Sequence, residues 1–270
     1  MHSAIPLVVG LGEVGSALAQ VLRRAGRILE HDIERRDFDE RVSVMHLCFP
    51  FTRQPDFAAT ALSYIERFKP ELTIINSTVV PGTSRAVAAQ SSVPIAYSPV
   101  RGKHTRMVDD LLKYRKFVAG IDGQTANRAA EHFRAAGMTV QCVDKVETLE
   151  LAKLAETTYF GVLISFAQEL NRYANLAKAD YAEALDFFEE VDFLPRTKYF
   201  PGFIGGHCVI PNIELLCSLA SSPLLKAVLE SNRLRAAELL NETKIATSRA
   251  PIMDAAAPDA APRSGVTLLR

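Results

Sequence analysis

Residues 5–26 read IPLVVGLGEVGSALAQVLRRAG. A short apolar run with two valines is followed at once by glycines and then by apolar residues at helical spacing, which predicts a buried strand, a tight turn and a helix. Gly10, Gly12 and Gly15, with Glu13 and Val14 between the last two, form GxGxxG. In that pattern the first glycine permits the turn, the second lets backbone approach a pyrophosphate, and the third allows close packing of helix on strand. The start of the helix would then offer its free N–H groups to the phosphates.

A second strand is expected over residues 27–32, RILEHD, ending in an acid about 20 residues beyond the glycines, where a Rossmann-type fold places its ribose-binding carboxylate. Asp32 is the first choice and Glu30 the second. A carboxylate there repels a 2′-phosphate, which favours NAD over NADP; Arg35 and Arg36 follow closely and weaken that preference. Further strands are expected at residues 42–50, 72–77, 93–99, 116–120 and 138–143, and helices at 56–68, after Pro81 and at 125–136. The alternation predicts an α/β fold with a doubly wound, mostly parallel sheet. Ligands of such sheets sit beyond the carboxyl ends of the strands, which adds Phe49, Pro50, Ser77 and Thr78 to the expected cofactor contacts. Thr78 opens STVVPGTS, a segment that also reads as a turn with a helix cap at Thr83 or Ser84.

From residue 146 to about 177 there is no proline, and apolar residues recur with helical period. Asp144, with Glu147 three residues on, has the spacing of a capping box. This long helix is expected to lead into an all-helical second part. The organisation predicted is a cofactor domain over residues 1–145, a helical domain over 146–242, and a disordered alanine- and proline-rich tail over 243–270. On the helix, Lys153 and Thr157 lie one turn apart, with Glu156 beside them. Lys153 is either a snorkelling surface residue or a placed proton carrier. Residues 199–212, YFPGFIGGHCVIPN, then deliver Cys208 on a glycine-rich loop, either as a reactive thiol or as an inert cysteine in a turn.

Totals bound the possibilities. The 270 residues are 48% hydrophobic, and 31 basic residues balance 31 acidic ones, so no net field attracts nucleic acid or an anionic membrane. No apolar run approaches the roughly 20 residues that span a bilayer. Four cysteines without CxxC spacing and no secretory signal predict a reduced, cytoplasmic protein. Cys48, Cys142 and Cys217 lie in apolar runs and are expected in the core. His207 beside Cys208 is a single pair, without the separated ligand pairs of a zinc site, and no metal is expected.

GLGEVGSAL, NSTVVPGTS, SPVR, ELAKLAETT and FPGFIGGHCVIPN occur in the order and approximate spacing of the UDP-glucose/GDP-mannose dehydrogenase family, and the sequence resembles its UDP-N-acetylmannosamine-type members over about residues 5–240. The resemblance implies NAD as cofactor and oxidation of a sugar-nucleotide alcohol, in two steps through an aldehyde, to a carboxylate. It makes Cys208 the nucleophile that forms thiohemiacetal and thioester, Lys153 the stabiliser of oxyanion charge, and Thr78 the threonine near the catalytic water. Arg101, Lys103, His104 and Arg106 form a basic cluster that reads either as recognition of a substrate phosphate or carboxylate or as a solvated loop; the resemblance sets Arg101 at its motif arginine, Gly205 and Gly206 are further expected substrate contacts, and a homodimer through the helix of residues 146–177 is implied.

Departures from the family pattern accompany the matches. Val100 stands where the family has glutamate, Thr157 where it has asparagine, and Asn212 where it has aspartate; the family's third, nucleotide-binding domain is not expected within these residues. Losing both acids removes the obvious bases for thioester hydrolysis and leaves Glu156 and His207 as candidates. The leading expectation is an NAD-dependent dehydrogenase acting on a nucleotide sugar or a smaller related substrate. The alternatives are a two-electron enzyme of the β-hydroxyacid type, and a degenerate paralogue that binds NAD or a nucleotide sugar without turning it over.

Overall fold

The structure, a computed structural model, describes residues 4–33, 38–188, 191–192, 199–206 and 208–249. Among the described residues, seven strands form one sheet: β1 (Ile5–Val9), β2 (Leu29–His31), β3 (Val42–Leu47), β4 (Leu72–Ile75), β5 (Ile95–Tyr97), β6 (Lys116–Gly120) and β7 (Val140–Cys142). Their order is β2-β1-β3-β4-β5-β6-β7, and every neighbouring pair is parallel except β5 and β6. The chain leaves β1 for β2 on one side and returns to β3 on the other. The β1/β3 boundary is therefore the topological switch point, where ligands of doubly wound sheets bind.

Helices α1 (Glu13–Leu22), α2 (Gln54–Phe68), α3 (Thr83–Ala88), α4 (Met107–Lys113) and α5 (Gly123–Ala135) cover the sheet. The period of two along each strand sends alternate side chains to opposite faces. Leu7, Val9, Met45, Leu47, Ile75 and Tyr97 pack in one core with Phe57, Ala61 and Val87, while Val8, Val44, Ile74, Ala96 and Val118 pack in the other with Leu18, Leu111 and Phe133. With both faces buried, the strands read as continuous apolar runs.

Helix α6 (Val146–Ala177) has 32 residues, about 48 Å at 1.5 Å per residue. Its first turns belong to the sheet, since Val146 and Leu149 join the first core. Farther along it packs on α8 (Val209–Leu219) and α9 (Pro223–Arg249), with α7 (Tyr181–Asp186) beyond its end. Ile204, Val209, Ile213 and Val228 form the small core between them. Gly161 makes the α6–α8 approach possible: a Cβ there would lie 2.8 Å from Val209 Cγ1 and 2.9 Å from Ile213 Cδ1.

The structure corrects several expectations. β2 is only three residues long, and α4 was not foreseen in the basic segment after β5. Lys145, not Asp144, caps α6, because Glu147 pairs with Arg85 on α3 instead of reaching back to its own helix. Gly82, at φ +94°, caps α3 in place of Thr83 or Ser84. Cys142 ends the edge strand β7 and is exposed, not core. Helix α9 extends through Arg249, the last described residue, into the segment expected as tail. Residues 250–270 lie outside the described ones, as do Arg35 and Arg36.

Candidate active site

The glycine turn has the geometry its spacing requires. Gly10, at φ +88°, donates its N–H to the His31 carbonyl at 2.9 Å, and a Cβ on Gly15 would lie 1.7 Å from the Gly10 carbonyl oxygen. Gly12 caps α1 with no side-chain hydrogen bond to the first turn, and a Cβ there would meet nothing within 4 Å. The helix start, with Glu13 exposed and Val14 half-buried, thus presents backbone amides to open space. A dinucleotide pyrophosphate fits this cradle. Asp32, exposed just past β2, accepts from the Ile33 amide at 2.9 Å, whereas Glu30 is held by Arg23 at 2.7 Å.

At the ends of β3 and β4 the residues expected to meet cofactor take different parts. Ser77 is buried and donates to the Phe49 carbonyl at 2.6 Å, tying the two strand ends together. Phe49 packs on Phe57 and Tyr64, Pro50 is exposed, and Thr78 is half-buried at the head of its loop. Glu150 fixes that loop to α6: fully buried, it accepts from the amides of Gly82 at 2.7 Å and Ser84 at 2.8 Å, closing the start of α3. Burial pushes its carboxyl above the usual range, and the bonds from Ser84 and Gly82 oppose the rise. Sequence reading missed Glu150, although an acid on an apolar helix face three residues before Lys153 was a usable signal.

Between the loop after β5 and the first turns of α6 lies a cavity of about 270 Å³, lined by Pro99, Arg101, Phe117, Leu149, Lys153 and Glu156 among others. Lys153 is not a snorkelling lysine; its side chain is only 15% exposed. Burial lowers its pKa below the ordinary lysine value, with Glu156 and Cys208 opposing and Arg101 reinforcing the shift. Glu156 stands 3.7 Å from Lys153 Nζ and 3.7 Å from Arg101 Nη1. Arg101 also donates to the Arg115 carbonyl at 2.8 Å and lies over the Phe117 ring. The basic cluster is not a free patch, because Arg106 is paired with Asp110 and the Lys103 amide bonds the same carboxylate; the side chain of His104 is outside the described ones.

A second lysine supports this wall from inside. Lys116 is buried and donates to the carbonyls of Ser98 at 3.0 Å and Pro99 at 2.9 Å, its ammonium over the Phe133 ring. Burial pulls its pKa down to about 7. Behind it Asn76 donates to the Ser98 carbonyl at 2.6 Å and meets His46 Nδ1 at 2.9 Å, and His46 Nε2 faces His132 Nε2 at 2.8 Å. Burial lowers the pKa of both histidines, that of His132 to about 4, so the pair is neutral near pH 7.

Cys208 is the exposed N-cap residue of α8. Its exposure contrasts with Cys48, which lies near Lys116 but whose thiol burial pushes up to about 12, leaving it chemically quiet. The loop carrying Cys208 is clamped by residues the sequence reading passed over. Asn232 accepts from the Ile204 amide at 2.7 Å and donates to its carbonyl at 3.0 Å, and Gln168 donates to the Gly202 carbonyl at 2.6 Å. Gly205 and Gly206 are exposed, the latter at φ +80°. His207 lies outside the described residues.

The three departures are accounted for structurally. Val100 is 6% exposed and packs in the second core. Asn212 is 5% exposed, one helical turn after Cys208, its amide on the Cys208 carbonyl. Thr157 donates to the Lys153 carbonyl at 3.1 Å, so its hydroxyl proton is engaged on its own helix. The structure brings Lys153, Arg101, Glu156 and Cys208 into one electrostatic neighbourhood. Among the described residues no three histidine, cysteine or acidic side chains gather as metal ligands.

A doubly wound α/β sheet with a glycine turn at its switch point is joined through a lysine-bearing helix to a helical layer, which places this chain in the class of folds that bind ligands at the switch point of the sheet. More particularly, residues 147–241 match the central domain of the UDP-glucose/GDP-mannose dehydrogenase family, a range that holds two of the five motifs, ELAKLAETT and FPGFIGGHCVIPN. The UDP-N-acetyl-D-mannosamine dehydrogenase of Methanocaldococcus jannaschii is 27% identical over 154 residues, which are 54% of this chain and 36% of that protein. The chain thus spans little more than a third of that curated relative. The solved UDP-D-ManNAc dehydrogenase from Pyrococcus horikoshii superposes with a TM-score of 0.76 at 20% identity, covering 90% of this chain and 72% of that one. The 3-hydroxyisobutyrate dehydrogenase of Mycobacterium tuberculosis gives 0.64 at 15% identity, covering 92% of this chain and all of that one. These two likenesses speak for the fold alone.

Proposed function

We propose that this protein is an NAD-dependent oxidoreductase that oxidises a hydroxyl group of a nucleotide sugar, or of a smaller related substrate, through Cys208 and Lys153. The observation that carries the reading is a buried lysine lining a cavity, within electrostatic reach of an exposed cysteine on a clamped loop. Residues 1–145 serve as the cofactor domain and 146–242 as the helical domain. Gly10, Gly12, Glu13, Val14 and Gly15 hold the pyrophosphate, Asp32 the ribose, and Phe49, Pro50, Ser77 and Thr78 border the cofactor. When bound, NAD accepts hydride from the carbon being oxidised.

Lys153 stabilises the alkoxide and later the oxyanion, helped by a burial-lowered pKa that eases release and uptake of a proton. The Cys208 thiolate adds to the aldehyde, and the resulting thiohemiacetal loses hydride to leave a thioester. Arg101, Gly205 and Gly206 line the approach of substrate, Thr78 the side of the water, and Thr157 and Asn212 hold Lys153 and Cys208 through backbone contacts. A homodimer through α6 is supported by its exposed Tyr159, Phe166 and Tyr173. A cytoplasmic location suits a thiol that must stay reduced, and among the described residues no helix is long and apolar enough to cross a membrane.

The test is NADH formation from UDP-N-acetylmannosamine and a panel of nucleotide sugars and hydroxy acids. Two NADH per substrate are expected, at most one from Cys208→Ala, which keeps the alcohol oxidation but cannot form the thiohemiacetal, and a rate about 100- to 1,000-fold lower from Lys153→Met. Undiminished turnover in either variant sinks the mechanism. A second reading, two-electron oxidation of a β-hydroxyacid type by Lys153 alone, is favoured by the buried Val100 and Asn212 where acids would be expected, and it predicts one NADH per substrate. A non-catalytic NAD-binding paralogue predicts NADH binding with no turnover on the whole panel.

A further inference from the structure

We infer that Glu156 is the general base that activates water to hydrolyse the Cys208 thioester, an inference that rests on the covalent route proposed above. The two positions that would be acids in the resembling family cannot supply a base here: Val100 is apolar and in the core, and Asn212 is a buried amide. Among the residues lining the cavity beside Lys153, Glu156 is the one carboxylate.

Its placement suits the task. Glu156 follows Lys153 by three residues on α6, so both project over the same stretch of helix surface. Its side chain is 49% exposed, which gives water access that the buried Lys153 lacks. Each carboxylate oxygen has one cation at 3.7 Å, Arg101 at Oε1 and Lys153 at Oε2, contacts longer than the 2.7–3.2 Å of a tight hydrogen bond, so the carboxylate is oriented between them. Cys208 belongs to the same neighbourhood through Lys153, and α8 is pressed against the next turns of α6 at Gly161.

The step balances within the site. A water proton passes to the Glu156 carboxylate while the water oxygen forms a bond to the thioester carbon. The tetrahedral oxyanion faces the Lys153 ammonium. Collapse breaks the C–S bond, releasing the Cys208 thiolate and the product carboxylic acid, and Glu156 returns its proton to solvent. No redox partner takes part.

p-Nitrophenyl acetate tests this without the natural substrate or NAD, because acyl transfer to Cys208 gives the same linkage. The wild type is expected to show a burst of p-nitrophenolate, absent in Cys208→Ala, followed by turnover. Glu156→Gln is expected to keep the burst amplitude, lose turnover about 100-fold or more, and accumulate acetyl-enzyme by intact mass; Glu156→Asp is expected to recover part of the rate. Deacylation at the wild-type rate in Glu156→Gln overturns the inference and leaves the Cys208 reading standing. Loss of the burst together with turnover in Glu156→Gln assigns the residue a structural role and also overturns it. A wild type without a Cys208-dependent burst removes both the inference and the reading beneath it.

Discussion

Asn232 grips Ile204 at both backbone groups, its Oδ1 accepting from the amide at 2.7 Å and its Nδ2 donating to the carbonyl at 3.0 Å. Ile204 is 4% exposed and anchors the small helical core, so a residue on α9 fixes where the cysteine loop leaves the surface. Asn232→Ala removes both partners from buried backbone groups and should cost about 2–4 kcal/mol of stability. Chemical denaturation measures the loss. The rate of Cys208 acylation should fall about tenfold or more, as the loop gains freedom.

Glu150 makes the corresponding joint at the other end of α6. Each of its oxygens accepts one amide from the start of α3, and a glutamine can accept only one of them while turning an NH2 toward the other. Glu150→Gln should therefore destabilise by about 1–3 kcal/mol, read as a lowered urea midpoint at unchanged slope.

The glycine turn gives a pair of substitutions that separate folding from cofactor binding. Gly15→Ala drives its Cβ into the Gly10 carbonyl and should lower both the melting temperature and NADH affinity. Gly12→Ala meets open space at an ordinary φ of −65°, so stability should stay within about 0.5 kcal/mol of the wild type. NADH affinity, measured by fluorescence, should nevertheless fall about tenfold or more, because the methyl occupies the approach of the pyrophosphate.

Lys116 supplies a pH signature. Its pKa in the folded protein is about 7, against an ordinary 10.5 in the unfolded chain. Between those values the unfolded chain binds a proton that the folded one does not, so this group makes stability rise with pH, by at most about 1.4 kcal/mol per unit. Lys116→Met should lack that contribution, so the stability of wild type relative to the variant should rise between pH 7 and pH 10. Denaturation midpoints at several pH values show whether it does.

Much of the fold was legible because it follows from local rules. The GxGxxG spacing, the apolar strand runs and the proline-free stretch from residue 146 placed the sheet and α6. Boundaries and caps were less legible. Glu147 spends its carboxylate on Arg85, 62 residues away in sequence, instead of closing a capping box, and β2 is three residues long because only the residues paired with β1 are held in the ladder.

For the site, the chain by itself determined the chemical inventory: the glycine turn, the acid after β2, Lys153 and Cys208, and the absence of acids at positions 100 and 212. Only the tertiary structure decided which of these meet. It buried Lys153 within electrostatic reach of Cys208, sent Val100 into the core, set Glu156 between Lys153 and Arg101, and recruited Glu150, Gln168 and Asn232 as clamps. The physical reason is that reactive groups are specified by residue type, which a sequence carries outright. Burial, charge neighbours and the partners of a hydrogen bond are set by segments far apart in the chain, and those exist only once the sheet and the helices have packed.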